Sequence, residues 1–222
     1  MKRAVPLVTG QYYHIFTKCV EGIKIFGNDR DFRRMLNLIR FYQLKNTPMK
    51  YSYLDNAHKL FRQEWDDDLE ILLRQGEKQV VILAYCLMSN HFHLLIRQSQ
   101  DGGISAFMAN VLNSYARYFN IKNERKGPVW IGRFKNVLIE SEQQLLHTSR
   151  YIHLNPTTAK LVQRPEDWKY SSYRQYINLS REKDVCTYKD VINLSSREYK
   201  DFTEDNVAHQ RELAELRHLS FD

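Results

Sequence analysis

Cysteine, proline and glycine are all scarce in this chain, with 3, 5 and 8 among its 222 residues. Cys19, Cys86 and Cys186 are odd in number and show no Cys-x-x-Cys spacing, so neither a disulfide framework nor a cysteine zinc site is indicated, and a reducing compartment fits best. So little Gly and Pro excludes collagen-like and low-complexity chains. No stretch of 18 residues lacks charged or polar groups, and the start, MKRAVPLVTGQYYHIF, has no long apolar segment. Neither secretion nor a membrane is indicated, and a cytoplasmic location is expected. No internal repeat is visible.

What the chain does have is an ordinary globular mixture, 43% hydrophobic and 27% charged, long enough to bury a sizeable core as one large domain. Lys and Arg number 33 against 26 Asp and Glu, a net charge of +7 that is compatible with a polyanionic partner. The excess is not evenly spread. Residues 1–43 carry +5 and residues 81–180 carry +6, whereas 44–80 carry −1 and 181–222 carry −3. The positive field belongs to two separated stretches, and the other two look like additions. We therefore read a domain over 1–180 with an insertion at about 44–78, followed by a C-terminal extension over 181–222, both additions being helical.

Residues 11–20 (QYYHIFTKCV) are rich in aromatic and β-branched residues and read as a strand. Asn28 or Asp29 caps a helix with Phe32, Met35, Leu36, Ile39 and Tyr42 on one stripe. Residues 78–85 and 91–97 read as two strands, joined by a short turn around Ser89 and Asn90. After Asp101-Gly102-Gly103 a second helix buries Ile104, Phe107, Met108, Val111, Leu112, Tyr115 and Phe119. A strand is expected over 133–140, then a third helix from about Glu142 to Asn155, ended by Pro156. The order is that of an α+β fold with an antiparallel sheet.

Two local patterns can carry chemistry. In MSNHFHLLI, His91 and His93 lie two apart on a strand, so both project from one face and can reach one ion. Neutral imidazole suits divalent transition metals. The alternative is two histidines on the polar face of a strand. In SRYIHLNP, Tyr151 and Asn155 are one helical turn apart on one face, with His147 a turn earlier. A tyrosine hydroxyl beside a metal can attack phosphorus and store the bond energy as a phosphotyrosine. Among 14 tyrosines, packing or surface hydrogen bonding is the alternative for any one of them. Asp66, Asp67, Asp68 and Glu70 flank Trp65, Leu69, Leu72 and Leu73 at helical spacing and read as the outer face of an inserted helix rather than a metal site.

The ordered set MSNHFHLLI, WIGRFKNVLIES (130–141), LLHTSRYIHLNP (145–156) and PEDWKYSSY (165–173), with QYYHIFTKC at the start, resembles the IS200-like single-tyrosine transposases, and among them the REP-associated branch. Ile131, where a polar residue is usual, and Thr17-Lys18-Cys19, where Arg-Gly is usual, depart from that pattern. The resemblance implies a ferredoxin-like antiparallel sheet flanked by helices, of the HUH endonuclease type. It implies His91, His93 and Asn155 as ligands of Mg²⁺ or Mn²⁺, with Phe92 pointing into the core, and Tyr151 as the nucleophile.

The implied activity is nicking and rejoining of single-stranded DNA at hairpin or palindromic repeats, without a nucleotide cofactor, on a bacterial nucleoid, by a monomer or homodimer. Arg117, Lys122, Arg125, Lys126, Arg133 and Lys135 are the candidate phosphate contacts, and Trp130 and Phe134 the candidates for stacking on bases, with core packing as the alternative for both aromatics. Two rival readings are a hairpin-binding regulator of the same fold with little catalysis, and a metal-dependent phosphodiesterase that forms no covalent adduct.

Overall fold

Alternation in Tyr12–Lys18 makes a strand, β1, whose Tyr13, Ile15 and Thr17 are buried on one face while Tyr12, His14 and Phe16 project from the other. The computed structural model describes residues 5–47, 50–53, 71–73, 75–180 and 185–207. Helix α1 (Asp29–Tyr42) begins at Asn28, whose side chain accepts from the Asp31 N–H at 3.2 Å, and it buries the expected stripe. Then come β2 (Val80–Leu87), β3 (His91–Gln98) and α2 (Gly103–Lys122). They are followed by β4 (Lys135–Ile139), α3 (Glu142–Thr158), a 3₁₀ turn at Pro165–Asp167, α4 (Tyr173–Tyr176) and α5 (Ser196–Glu204).

The four strands form one antiparallel sheet in the order β2-β3-β1-β4. This is the α+β architecture expected from the element order. Phe92, on one face, packs edge-on against Trp130 with ring centroids 5.8 Å apart, beneath Tyr115 of α2, and α1 packs against α2 on that side. His93, on the opposite face, meets α3. Helix α2 starts where it does because of Gly103: a Cβ there would fall 2.3 Å from the Gln79 carbonyl oxygen, so only glycine lets the helix begin against the chain entering β2.

Leu44 and Lys78 form an isolated bridge, and the Gln79 amide donates to the Tyr42 and Leu44 carbonyls at 2.8 and 3.1 Å. The insertion therefore leaves and rejoins the domain at one point. Its acidic residues Asp66, Asp67, Asp68 and Glu70 lie outside the described residues, as does the end of the C-terminal extension.

Helix α3 corrects one expectation, since it runs through Pro156 to Thr158. Proline cannot donate to the Ile152 carbonyl. The Asn155 side-chain amide fills part of that gap, donating to the Tyr151 carbonyl at 2.8 Å and more weakly to that of Ile152 at 3.4 Å. The PEDWKYSSY segment ties the end of β2 to the helices. Trp168 donates to the Leu87 carbonyl at 2.9 Å, Tyr170 stacks on Phe32 of α1, and Ser172 bonds both Tyr85 and His153.

Candidate active site

Strand pairing sets Lys18 opposite His91 and Phe16 opposite His93, while Lys135 of the edge strand β4 sits opposite Phe16. Phe92 is fully buried in the core, as expected, so His91 and His93 face the other side, where His93 is only 7% exposed. Their ring centroids are 5.1 Å apart with the planes nearly perpendicular. His91 Nδ1 lies 2.7 Å from Asn90 Oδ1. An amide oxygen can only accept, so His91 carries its proton on Nδ1 and presents an unprotonated Nε2.

A third imidazole joins them that the motif reading missed. His14 of β1 projects from the same face, and its Nε2 lies 2.9 Å from His93 Nδ1, with the rings stacked at 5.1 Å. The signal was present in the strand pattern: in YYHIFTK, His14 alternates with the buried Tyr13 and Ile15 and so shares a face with Phe16. Burial lowers the pKa of His14 and of His91 to about 4, with Lys18 adding to the effect at His91. His93 is lowered well below the ordinary range by burial and then by its two histidine neighbours. All three are neutral near pH 7, the form in which imidazole binds a metal.

Helix α3 carries Tyr151 to this cluster. Ser141 caps the helix by accepting from the Gln144 N–H at 3.1 Å, and Leu145, Ser149, Ile152, His153 and Pro156 face inward. Tyr151 stands on the flank, 38% exposed, with its ring 5.9 Å from His93 and 5.8 Å from His14, edge-on to both. Within one chain, then, the candidate nucleophile and the histidine pair are adjacent. Asn155 is one turn further along, and because its Nδ2 donates to its own helix, its Oδ1 is the end that can ligate. His147 turns elsewhere, bonding Arg150 and packing on Phe202 of α5.

Among the described residues no three His, Cys, Asp or Glu side chains form a metal-binding group. A metal here would rest on His91 Nε2, His93 Nε2 and the amide oxygen of Asn155. Two imidazoles and an amide oxygen are a fitting set for a divalent transition ion that keeps water or phosphate oxygens in its remaining positions.

The structure divides the expected DNA contacts. Arg117, Lys126, Arg133 and Lys135 are exposed, and Lys135 is on the histidine face of the sheet. Lys122 instead pairs with the buried Asp31 carboxylate at 2.6 Å, and Arg125 donates to the Asn120 side-chain oxygen in the last turn of α2 at 3.1 Å. Phe134 is buried, and Trp130 packs on Phe92 while its indole N–H donates to the Leu112 carbonyl at 3.0 Å. Phe134 is thus a core residue, and the half-buried Trp130 is tied to the core through its indole N–H and its edge contact with Phe92.

Residues 53–155 match the family of IS200-like transposases. That IS200-like segment holds His91, His93, Tyr151 and Asn155, while β1 with His14 precedes it. A solved structure described as the REP-associated tyrosine transposase bound to a REP hairpin shares the fold, with a TM-score of 0.54 and 12% identity over 87% of this chain and 98% of that one. No curated protein sequence matches significantly. The family model thus supports the IS200-like resemblance over residues 53–155, and the solved structure supports the fold. No helix among the described residues is long and apolar enough to cross a membrane.

Proposed function

We propose that this IS200-like protein is a single-strand DNA transesterase that cuts and rejoins DNA at hairpin or repeat ends through Tyr151. The observation that carries this reading is the approach of the Tyr151 ring to within 5.9 Å of His93, beside His91, in one chain. In the cutting step the Tyr151 oxygen attacks phosphorus and loses its proton. The Tyr–O–P bond forms, the P–O3′ bond breaks, and the leaving 3′ oxygen ends as a hydroxyl. The 5′-phosphotyrosine conserves the bond energy, so attack by a 3′ hydroxyl on it reseals a strand with no nucleotide cofactor.

His91, His93 and Asn155 would hold Mg²⁺ or Mn²⁺, which when bound supplies positive charge against the scissile phosphate. The side chains themselves hold the reacting groups in place: β3 fixes the two imidazoles, and α3 fixes Tyr151 and Asn155 one turn apart. Arg117, Lys126, Arg133 and Lys135 would follow the strand's phosphates. A hairpin partner is supported by the fold shared with a transposase described as bound to a REP hairpin. A cytoplasmic location would suit such work on DNA.

The test is incubation with a hairpin-bearing oligonucleotide labelled at its 3′ end, with Mn²⁺. A denaturant-resistant protein–DNA adduct is expected, together with a free 3′-hydroxyl product when the label is at the 5′ end. Tyr151→Phe should abolish both. An undiminished adduct with Tyr151→Phe would exclude this residue. Salt-dependent hairpin binding with no cleavage would favour the regulator, and cleavage without adduct the phosphodiesterase.

A further inference from the structure

His14 is a neutral, largely buried histidine that has no place among the ligands and nucleophile assigned above. Its Nε2 is 2.9 Å from Nδ1 of His93. One of the two must donate. If His14 donates, His93 carries its own proton on Nε2 and has no lone pair to offer a metal. If His93 donates from Nδ1, its Nε2 is unprotonated and His14 holds its proton on Nδ1.

The neighbouring imidazole shows which arrangement the site is built for. His91 Nδ1 donates to Asn90 Oδ1 at 2.7 Å, which leaves its Nε2 open. A neutral histidine in water prefers the proton on Nε2, so keeping it on Nδ1 takes an acceptor at that atom, and ligating imidazoles commonly have one. We propose that His14 is a positioning residue that accepts the Nδ1 proton of His93 and so fixes the tautomer and ring orientation in which His93 Nε2 can bind a divalent cation. It does for His93 what Asn90 does for His91. The proposal rests on the metal site of the preceding section, and deepens it by adding a residue from β1.

The position of β1 explains why His14 can do this. The strand lies between β3 and β4, and its register puts Phe16 opposite His93, so His14 is the next residue on that face toward Tyr151. Its ring lies 5.8 Å from the Tyr151 ring as well. The same side chain therefore fills the floor between the ligand histidine and the nucleophile.

The experiment is ¹⁵N NMR of the imidazoles in the metal-free full chain, paired with Mn²⁺ titration, for wild type, His14→Ala and His14→Gln. His93 in the wild type should be protonated at Nδ1 and bare at Nε2. His14→Ala should move His93 toward the Nε2-protonated form and weaken Mn²⁺ binding roughly 10–100-fold. His14→Gln, whose amide oxygen can accept the same proton, should restore most of both. A wild-type His93 protonated at Nε2 would overturn the proposal, as would His14→Ala with tautomer and Mn²⁺ affinity unchanged. Should His14→Ala fail to fold, the wild-type spectrum and the Gln variant decide. If the wild type bound no Mn²⁺, the metal reading would fall, while the imidazole spectrum would still settle where His14 puts the proton.

Discussion

At the scale of single residues, burial decides what a charge or a ring is free to do. The Asp31 carboxylate is 2% exposed and accepts from the Gly27 N–H, the Tyr118 hydroxyl and the Lys122 ammonium. Lys122 is engaged there and unavailable to phosphate. Its replacement by Ala should cost about 1–3 kcal/mol of stability, discounted for its partial exposure, and leave hairpin binding nearly unchanged. The exposed Lys126 and Lys135 should behave oppositely: Ala at either stays within about 0.5 kcal/mol of wild-type stability. Each also lowers the slope of log affinity against log salt by about 0.7. Urea melts and fluorescence anisotropy at several salt concentrations check both halves.

His153 gives the residue-scale pH dependence. It is fully buried, bonded at 2.7 Å to both Tyr199 and Ser172, and burial lowers its pKa to about 3. Below about pH 6.5 the unfolded chain takes up a proton that the folded chain refuses until about pH 3. Stability should therefore be at its plateau above pH 6.5 and fall as the pH drops through that window, with His14 and His91 contributing in the same direction down to about pH 4. In urea melts between pH 6.5 and 5, His153→Gln should show a slope shallower by roughly one proton than the wild type. An unchanged slope would mean that His153 is charged in the fold.

At the scale of elements, α3 is held from both sides. Its inner face packs on the sheet, and its Ser149 and His153 share the Tyr199 hydroxyl of α5 at 2.9 and 2.7 Å, while Arg150 lies 4.3 Å over the Phe202 ring. Removing that one hydroxyl by Tyr199→Phe leaves two buried polar groups short of a partner. It should cost about 1–3 kcal/mol in chemical denaturation, with adduct formation lost only in proportion to unfolding. The periodic elements were legible because burial follows period 2 or 3.6: the stripe of α1, the faces of β1 and β3, and the projection of Phe92 inward all follow from spacing. Long-range pairing was not. His14 and His93 are 79 positions apart, and only the placing of β1 next to β3 makes them neighbours. Nor can spacing show that Lys122 meets Asp31, or that Asn155 bridges the break left by Pro156.

At the scale of the whole molecule, one chain brings His91, His93 and Tyr151 together on one face of one sheet, while α1 and α2 pack on the other. The net +7 is concentrated in the two stretches that build this sheet and its helices, and the insertion and extension carry the opposite sign. Among the exposed basic candidates, Lys135 lies on the face that holds Tyr151. The central claim is that this tyrosine, out of 14 in the chain, becomes covalently linked to DNA. Trapping the adduct, digesting it with nuclease and protease, and sequencing the peptides by mass spectrometry addresses that directly. The residual nucleotide mass is predicted on Tyr151, in the tryptic peptide spanning 151–160; its appearance on any other residue, or on none, would contradict the account.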